Sequence, residues 1–201
     1  MRTYENRELK IWENEALISF PINSRILDIG CGKGREAFCL NDRGFRVTGI
    51  DISETVVNEA KKSAILHNVD ICFSVSDDKN LPFGDKMFDI VIIWAQTFGL
   101  FGKNDRNRIL NECRRVLGQN GILSVSVHDR ELLREKYAEF IKNDCFFPFP
   151  DTDPGLYYKM YTMEDLKNCA EEMGFKDIEC KKGKIYNPKD NGWVLHCECK
   201  K

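Results

Sequence analysis

Apolar positions along this chain follow two alternating rhythms. Near-continuous apolar runs at 25–29, 45–50, 71–75, 88–94 and 122–127 are separated by stretches in which apolar residues recur every three or four positions. Short apolar runs bounded by turn residues read as buried strands, and the longer spacing reads as amphipathic helix. The spacing predicts a helix over 34–43, with Ala37, Phe38 and Leu40 as its apolar side and Gly44 as its stop. A second helix starts at Ser53 and carries Val56, Val57, Ala60 and Ala64. A third, from about Asp105, carries Ile109, Leu110, Cys113, Val116 and Leu117 and ends near Gly118. Thr162 to Asp165 has the form of a capping box, leading into Leu166, Cys169, Ala170 and Met173 before Gly174. The run at 88–94 is apolar on both faces, as a central strand of a parallel sheet covered by helices on both sides must be. Strand and helix therefore alternate, which predicts an α/β, doubly wound, mostly parallel sheet. Two last strands, near 175–180 and 193–199, have no helix between them and predict a closing antiparallel β-hairpin.

Chemistry enters where the first strand meets the first of these helices. Asp28-Ile29-Gly30-Cys31-Gly32-Lys33-Gly34-Arg35 places three alternate glycines between them. Glycine tolerates positive φ and lets a ligand approach the backbone at the positive end of a helix. Asp28 is two residues upstream, where a carboxylate repels a pyrophosphate and attracts an amino group or sulfonium. The dinucleotide fingerprint needs its third glycine where this chain has Arg35, so the spacing argues against NAD. Asp51 ends the second strand, 23 residues after Asp28, where an acid either receives ribose hydroxyls or opens a turn before Ser53.

The glycine stretch, with Asp51 and with Leu81-Pro82-Phe83 after Asp77 and Asp78, resembles the class I S-adenosylmethionine-dependent methyltransferase family. That family has a Rossmann-like fold and ends in such a hairpin. The resemblance implies S-adenosyl-L-methionine as cofactor, held by Asp28, Gly30, Cys31, Gly32 and Gly34 around the methionine part. It implies Asp51 on the ribose, Ile52 over the adenine, Asp77 on the adenine amino group and the Asp78 backbone amide on a ring nitrogen. Trp94 is expected as a pocket wall or as core. Gln96, Thr97, His128, Phe149 and Tyr158 are substrate candidates. No catalytic side chain is assigned, because the methyl donor arrives activated and in-line displacement needs alignment above all.

The whole chain of 201 residues reads as one such domain, with 1–24 as a leading helix or cofactor lid and 130–161 as a substrate cap. In the leading segment Leu9, Trp12, Ala16 and Leu17 fit an amphipathic helix before Pro21, with Tyr4, Arg7 and Trp12 as lid candidates. The aromatic stretch 144–161 is broken by Pro148, Pro150 and Pro154 and reads either as a cap or as a satellite core. His128 and Asp129, ending the fifth strand, face it as candidate bases. The formal charge of −2 leaves no basic run, so Arg106, Arg108, Arg114 and Arg115 read as a solvated helix face and no nucleic-acid partner is expected. Nine cysteines without a disulfide framework, no membrane-length apolar run and no signal-like start point to the cytoplasm, with no membrane partner. His196, Cys197 and Cys199 read as packing, and no metal is expected. The expected function is methyl transfer to a small-molecule acceptor. The alternatives are a methyltransferase acting on protein or RNA, and a catalytically silent cofactor-binding protein.

Overall fold

The computed structural model describes residues 8–77, 80–131, 141–142, 145–146, 158–184 and 193–201. The strands are β1 (Arg25–Ile29), β2 (Arg46–Asp51), β3 (Cys72–Val75), β4 (Phe88–Ile93), β5 (Leu117–His128), β6 (Ile141–Lys142), β7 (Cys145–Phe146), β8 (Lys176–Lys184) and β9 (Trp193–Lys200). The α-helices among the described residues are α1 (Ile11–Ala16), α2 (Arg35–Asn41), α3 (Glu54–His67), α4 (Lys103–Val116) and α5 (Met163–Glu172). Seven strands form one sheet in the order β3-β2-β1-β4-β5-β9-β8, and β6 pairs with β7. Neighbours from β3 to β5 run parallel, while β9 runs antiparallel to both β5 and β8. The predicted doubly wound sheet and closing hairpin are both present.

Strand parity sorts the core into two layers. Ile26, Ile90 and Ile92 face α1, α2 and α3, meeting Ala37, Phe38, Val57 and Ala60. Leu27, Ile29, Val91 and Ile93 face α4 and α5, meeting Ile109, Leu110, Val116 and Leu166. Burying each such side chain contributes about 1.5–3 kcal/mol, against about 0–1 kcal/mol for the half-exposed Arg25–Asp89 ion pair at the edge of these strands. The layers, and not the surface charges, therefore fix the sheet. β5 carries a bulge at Asn120-Gly121: the pairing jumps from Phe88↔Leu117 to Ile90↔Ile122, with Asn120 at φ 60°.

Two of the four α4 arginines depart from the solvated face predicted for them, while Arg108 and Arg114 are exposed as expected. Arg106 is buried and donates to the Tyr161 hydroxyl at 2.6 Å. Arg115 donates to the carbonyls of Leu81 and Phe83 and to Glu112, while Glu112 also accepts the Leu81 amide at 2.8 Å. These bonds clamp the Leu-Pro-Phe loop onto α4. No helix among the described residues is long and apolar enough to cross a membrane.

The capping box on α5 is formed as its sequence predicts. The Thr162 hydroxyl accepts from the Asp165 amide at 3.0 Å, and the Asp165 carboxylate accepts from the Thr162 amide at 2.9 Å. Thr162→Ala should therefore lower stability by about 1 kcal/mol and the thermal midpoint by about 2–4 °C. Thr162→Asp, which restores an acceptor, should recover most of that loss in the same thermal scan. An unchanged midpoint in the alanine variant would show that the cap contributes nothing.

Candidate cofactor site

The turn after β1 is built from glycines in conformations that other residues avoid. Gly30, Gly32 and Gly34 have φ of 76°, 53° and 85°. A Cβ on Gly30 would lie 2.4 Å from the Thr97 methyl, and one on Gly34 would lie 2.8 Å from the Phe73 ring. Around Gly32 there is open space. The loop's amides bond inward: Gly30 and Cys31 both donate to the Ile50 carbonyl, Gly34 donates to the Cys31 carbonyl, and Gly32 donates to Asp51 at 2.9 Å. A loop that cradles phosphate turns its N–H groups toward the ligand, and these four do not.

Recognition at this site thus falls to carboxylates. Asp51 ends β2 with one oxygen accepting from Gly32 and the other from Ser53, each at 2.9 Å, so both oxygens keep lone pairs for a ligand. A cleft of about 330 Å³ lies beyond the strand ends, bounded by Gly30, Asp51, Ile52 and Asp77 on one side. Thr97, Leu100, Phe101 and Asp105 bound the other. Ile52 is 68% exposed over this cleft, an apolar surface that no core residue covers. Of these residues, Leu100, Phe101 and Asp105 carry no motif in the sequence. They reach the cleft because a 3-10 turn over 97–100 bends the chain back after β4.

Behind the glycine loop lies a charged network that the sequence reading missed. Arg35, which marked only a departure from the dinucleotide pattern, donates to both oxygens of Glu13 at 2.8 and 2.6 Å and also pairs with Glu36. Glu13 comes from α1 and is fully buried, and its carboxylate also accepts the Lys10 amide. Asp28 and Glu36 are 2% and 5% exposed. Burial, and then the neighbouring Glu36, hold the Asp28 carboxyl well above the usual carboxylate range. Burial likewise raises Glu36, against the opposing pull of Arg35. The Oδ2 of Asp28 has no partner in the described structure, so a cationic group brought to the end of β1 would find an unmatched acceptor. The residues present fit a ligand carrying an ammonium.

Several expected site residues lie elsewhere. Trp94 is 1% exposed and lines no part of the cleft: its Nε1 donates to Ser124 at 2.8 Å and its ring packs edge-on against Trp12, 5.3 Å away. The parity of Ile90, Ile92 and Trp94 puts it on the α1 side of the sheet, which corrects the pocket-wall assignment. Trp12 belongs to the same core, not to a lid. Tyr158 is also buried, with its ring against Gly99 and 5.4 Å from the His128 ring, which corrects its expected place on a substrate-facing cap. Burial, with Lys10 adding to it, pushes His128 down to about 4. Asp129 is committed to Lys182 at 3.0 Å and to the Glu131 amide, which removes it as a base. Cys31 is buried within the loop, and burial pushes its thiol up. Thr97 lines the cleft, while Gln96 holds φ at 65° beside it with an unpartnered side-chain Nε2. Asp78, Phe149, Tyr4 and Arg7 lie outside the described residues.

Residues 26–121 match the family model described as Methyltransferase domain. The protein YqeM of Bacillus subtilis (strain 168) is 30% identical over 165 residues, which are 82% of this chain and 64% of that one. The ubiquinone/menaquinone biosynthesis C-methyltransferase of Rickettsia prowazekii (strain Madrid E) is 37% identical over 121 residues, 56% of this chain and 48% of that one. This chain therefore spans less than two thirds of the length of either relative. The crystal structure of a SAM-dependent methyltransferase from Methanosarcina mazei shares the fold at a TM-score of 0.79 and 22% identity, covering 96% of this chain and 99% of that one. Taken with the glycine loop, the strand order and the closing hairpin, these likenesses place the chain in the class I S-adenosylmethionine-dependent methyltransferase family.

Proposed function

We propose that this chain transfers a methyl group from S-adenosylmethionine to a small organic acceptor. The observation that carries this reading is a glycine loop whose amides are spent internally, beside a buried acid with an unmatched oxygen. Such a site suits a cationic thioether nucleoside and disfavours a pyrophosphate. Asp28 receives the ammonium, Asp51 the ribose hydroxyls and Asp77 the adenine amino group, while Ile52 covers one face of the ring. The close turns at Gly30, Gly32 and Gly34 admit the methionine chain. The bound cofactor supplies an activated methyl group on sulfonium.

What remains for the protein is alignment, which can supply up to ~7–11 kcal/mol of barrier reduction. Thr97, Leu100 and Phe101 form the wall where an acceptor would stand. Ala95 and Gln96 hold this wall through two successive left-handed residues, at φ 49° and 65°. Such conformations cost on the order of 1–3 kcal/mol each and persist where surrounding structure enforces them. His128, pushed down to about 4, is neutral at physiological pH and a weak base there. An acceptor that arrives as a nucleophile fits this arrangement better than one needing strong base catalysis. The Rickettsia relative is named for C-methylation in quinone biosynthesis, which supports a small-molecule acceptor for this chain as well.

Calorimetry should show S-adenosylmethionine and S-adenosylhomocysteine binding and NAD not binding, and a preference for NAD would overturn the assignment. Asp51→Ala should weaken S-adenosylhomocysteine binding by roughly 1.5–3 kcal/mol, the worth of a charge-assisted hydrogen bond. Unchanged affinity in a folded variant would reduce Asp51 to a turn residue. A panel of small metabolites should support release of S-adenosylhomocysteine. Turnover confined to protein or RNA would overturn the acceptor class, and no turnover with any acceptor would leave a binding protein.

A further inference from the structure

The acid network around Asp28 contains more negative than positive charge. Within this network, three buried carboxyl groups among the described residues come from three elements: Asp28 from β1, Glu36 from α2 and Glu13 from α1. One guanidinium, Arg35, is in contact with two of them. Lys10 at the start of α1 also acts on Glu36, and Asp51 at the end of β2 adds to the negative field at Asp28. Cys31 in the loop feels the same carboxylates and stays a thiol. Arg35 directs its donors to Glu13, Glu36 and the Glu8 carbonyl. Nothing described reaches the Oδ2 of Asp28. An isolated buried carboxylate is expensive, and such a group neutralises itself by holding a proton unless a cation arrives.

We propose that in the free protein Asp28 carries a proton, and that the ammonium group of the cofactor displaces it, so that cofactor recognition releases a proton to solvent. This rests on the methyltransferase reading above and adds the device by which the site selects a cationic amino acid tail. The balance is simple: one O–H bond of Asp28 is lost to buffer, and a charge-assisted N–H···O contact from the ligand replaces it. Glu13 and Glu36 are positioning residues here, since they make the end of β1 too negative to keep all its charges uncompensated. Arg35 neutralises only part of that charge, because its fork is already directed at both of them.

The sign of the pH dependence follows. Asp28 is raised by burial and by like charges, so the free protein is favoured when Asp28 is protonated and loses stability as pH rises through its folded value. The affinity for a ligand with an ammonium should instead rise with pH, by up to about tenfold per unit, the slope of one linked proton, and level off once Asp28 is ionised in the free protein.

Three ligands and two variants test this. S-adenosylhomocysteine carries the ammonium and a carboxylate. S-adenosyl-3-thiopropylamine keeps only the ammonium, and 5′-methylthioadenosine has neither. Calorimetry of the full chain in two buffers of different ionisation enthalpy should show proton release with the first two and none with the third. Asp28→Asn should pull the S-adenosylhomocysteine affinity down toward that of 5′-methylthioadenosine, whose own affinity should stay within about twofold. Glu36→Gln should reduce the number of protons released, which keeps the test open even if the Asp28 variant folds poorly. Equal proton counts for all three ligands, or a count unchanged in Glu36→Gln, would overturn the linkage while leaving the methyltransferase reading in place. Failure of all three to bind would remove that reading and the proposal together.

Discussion

At residue 30 the chain has room for a hydrogen atom and nothing larger. The Thr97 side chain stands where a Cβ would be, and the backbone is already at φ 76°. This close approach brings the turn after β4 onto the turn after β1, two segments far apart in sequence. Gly30 and Thr97 both line the same cleft as a result. The two loops are held at a fixed separation because one glycine permits van der Waals contact between them. For an in-line displacement, in which an ångström of misplacement costs orders of magnitude in rate, that separation matters more than any single polar contact.

The same loop shows how the protein divides work between backbone and side chains. With Gly30, Cys31 and Gly32 bonded to the end of β2, the loop is rigid before any ligand arrives. Preorganisation of this kind reduces the ordering that binding must otherwise impose. Charge then discriminates: three acids, Asp51, Asp77 and Asp105, line the cleft, and Asp28 lies behind the loop. The network behind it carries a stability penalty. Removing one partner of the buried Glu13–Arg35 pair leaves an uncompensated charge, whereas an apolar replacement of the whole set could be neutral or stabilising. Retaining it makes sense if the excess charge serves the ligand, and the pair also fixes α1 against the start of α2.

How much of this was legible beforehand depends on distance along the chain. The glycine loop, Asp51 and the α5 capping box are local patterns, in which the chemistry sits within a few residues of the structure it creates. The sheet and its hairpin followed from the order of strand and helix signals, because connection rules leave few alternatives. Trp94 went wrong for an instructive reason: its position at a strand end suggested the site, while its parity with Ile90 and Ile92 already assigned it to the opposite layer. Tyr158 depended on Gly99, nearly sixty residues away, offering a flat surface for its ring. The Glu13–Arg35 pair joins residues 22 apart across two helices. A buried ion pair of this kind leaves no periodic trace, since each member looks like an ordinary polar position on its own helix.

On the proposed reading, the acceptor side of the cleft follows a different physical logic from the cofactor side. Around the cofactor the chain uses fixed acids and a rigid loop, which suits a ligand of constant structure. Around the acceptor it would present Leu100, Phe101, one threonine hydroxyl and the Asp105 carboxylate, with a strained turn at Ala95 and Gln96 before them. Apolar walls discriminate weakly between ligands that differ by a methylene, and polar groups that need a partner discriminate strongly against ligands that lack one. On the proposed reading, selectivity therefore rests on the polar groups of this wall, Thr97 and Asp105, more than on the larger apolar residues beside them.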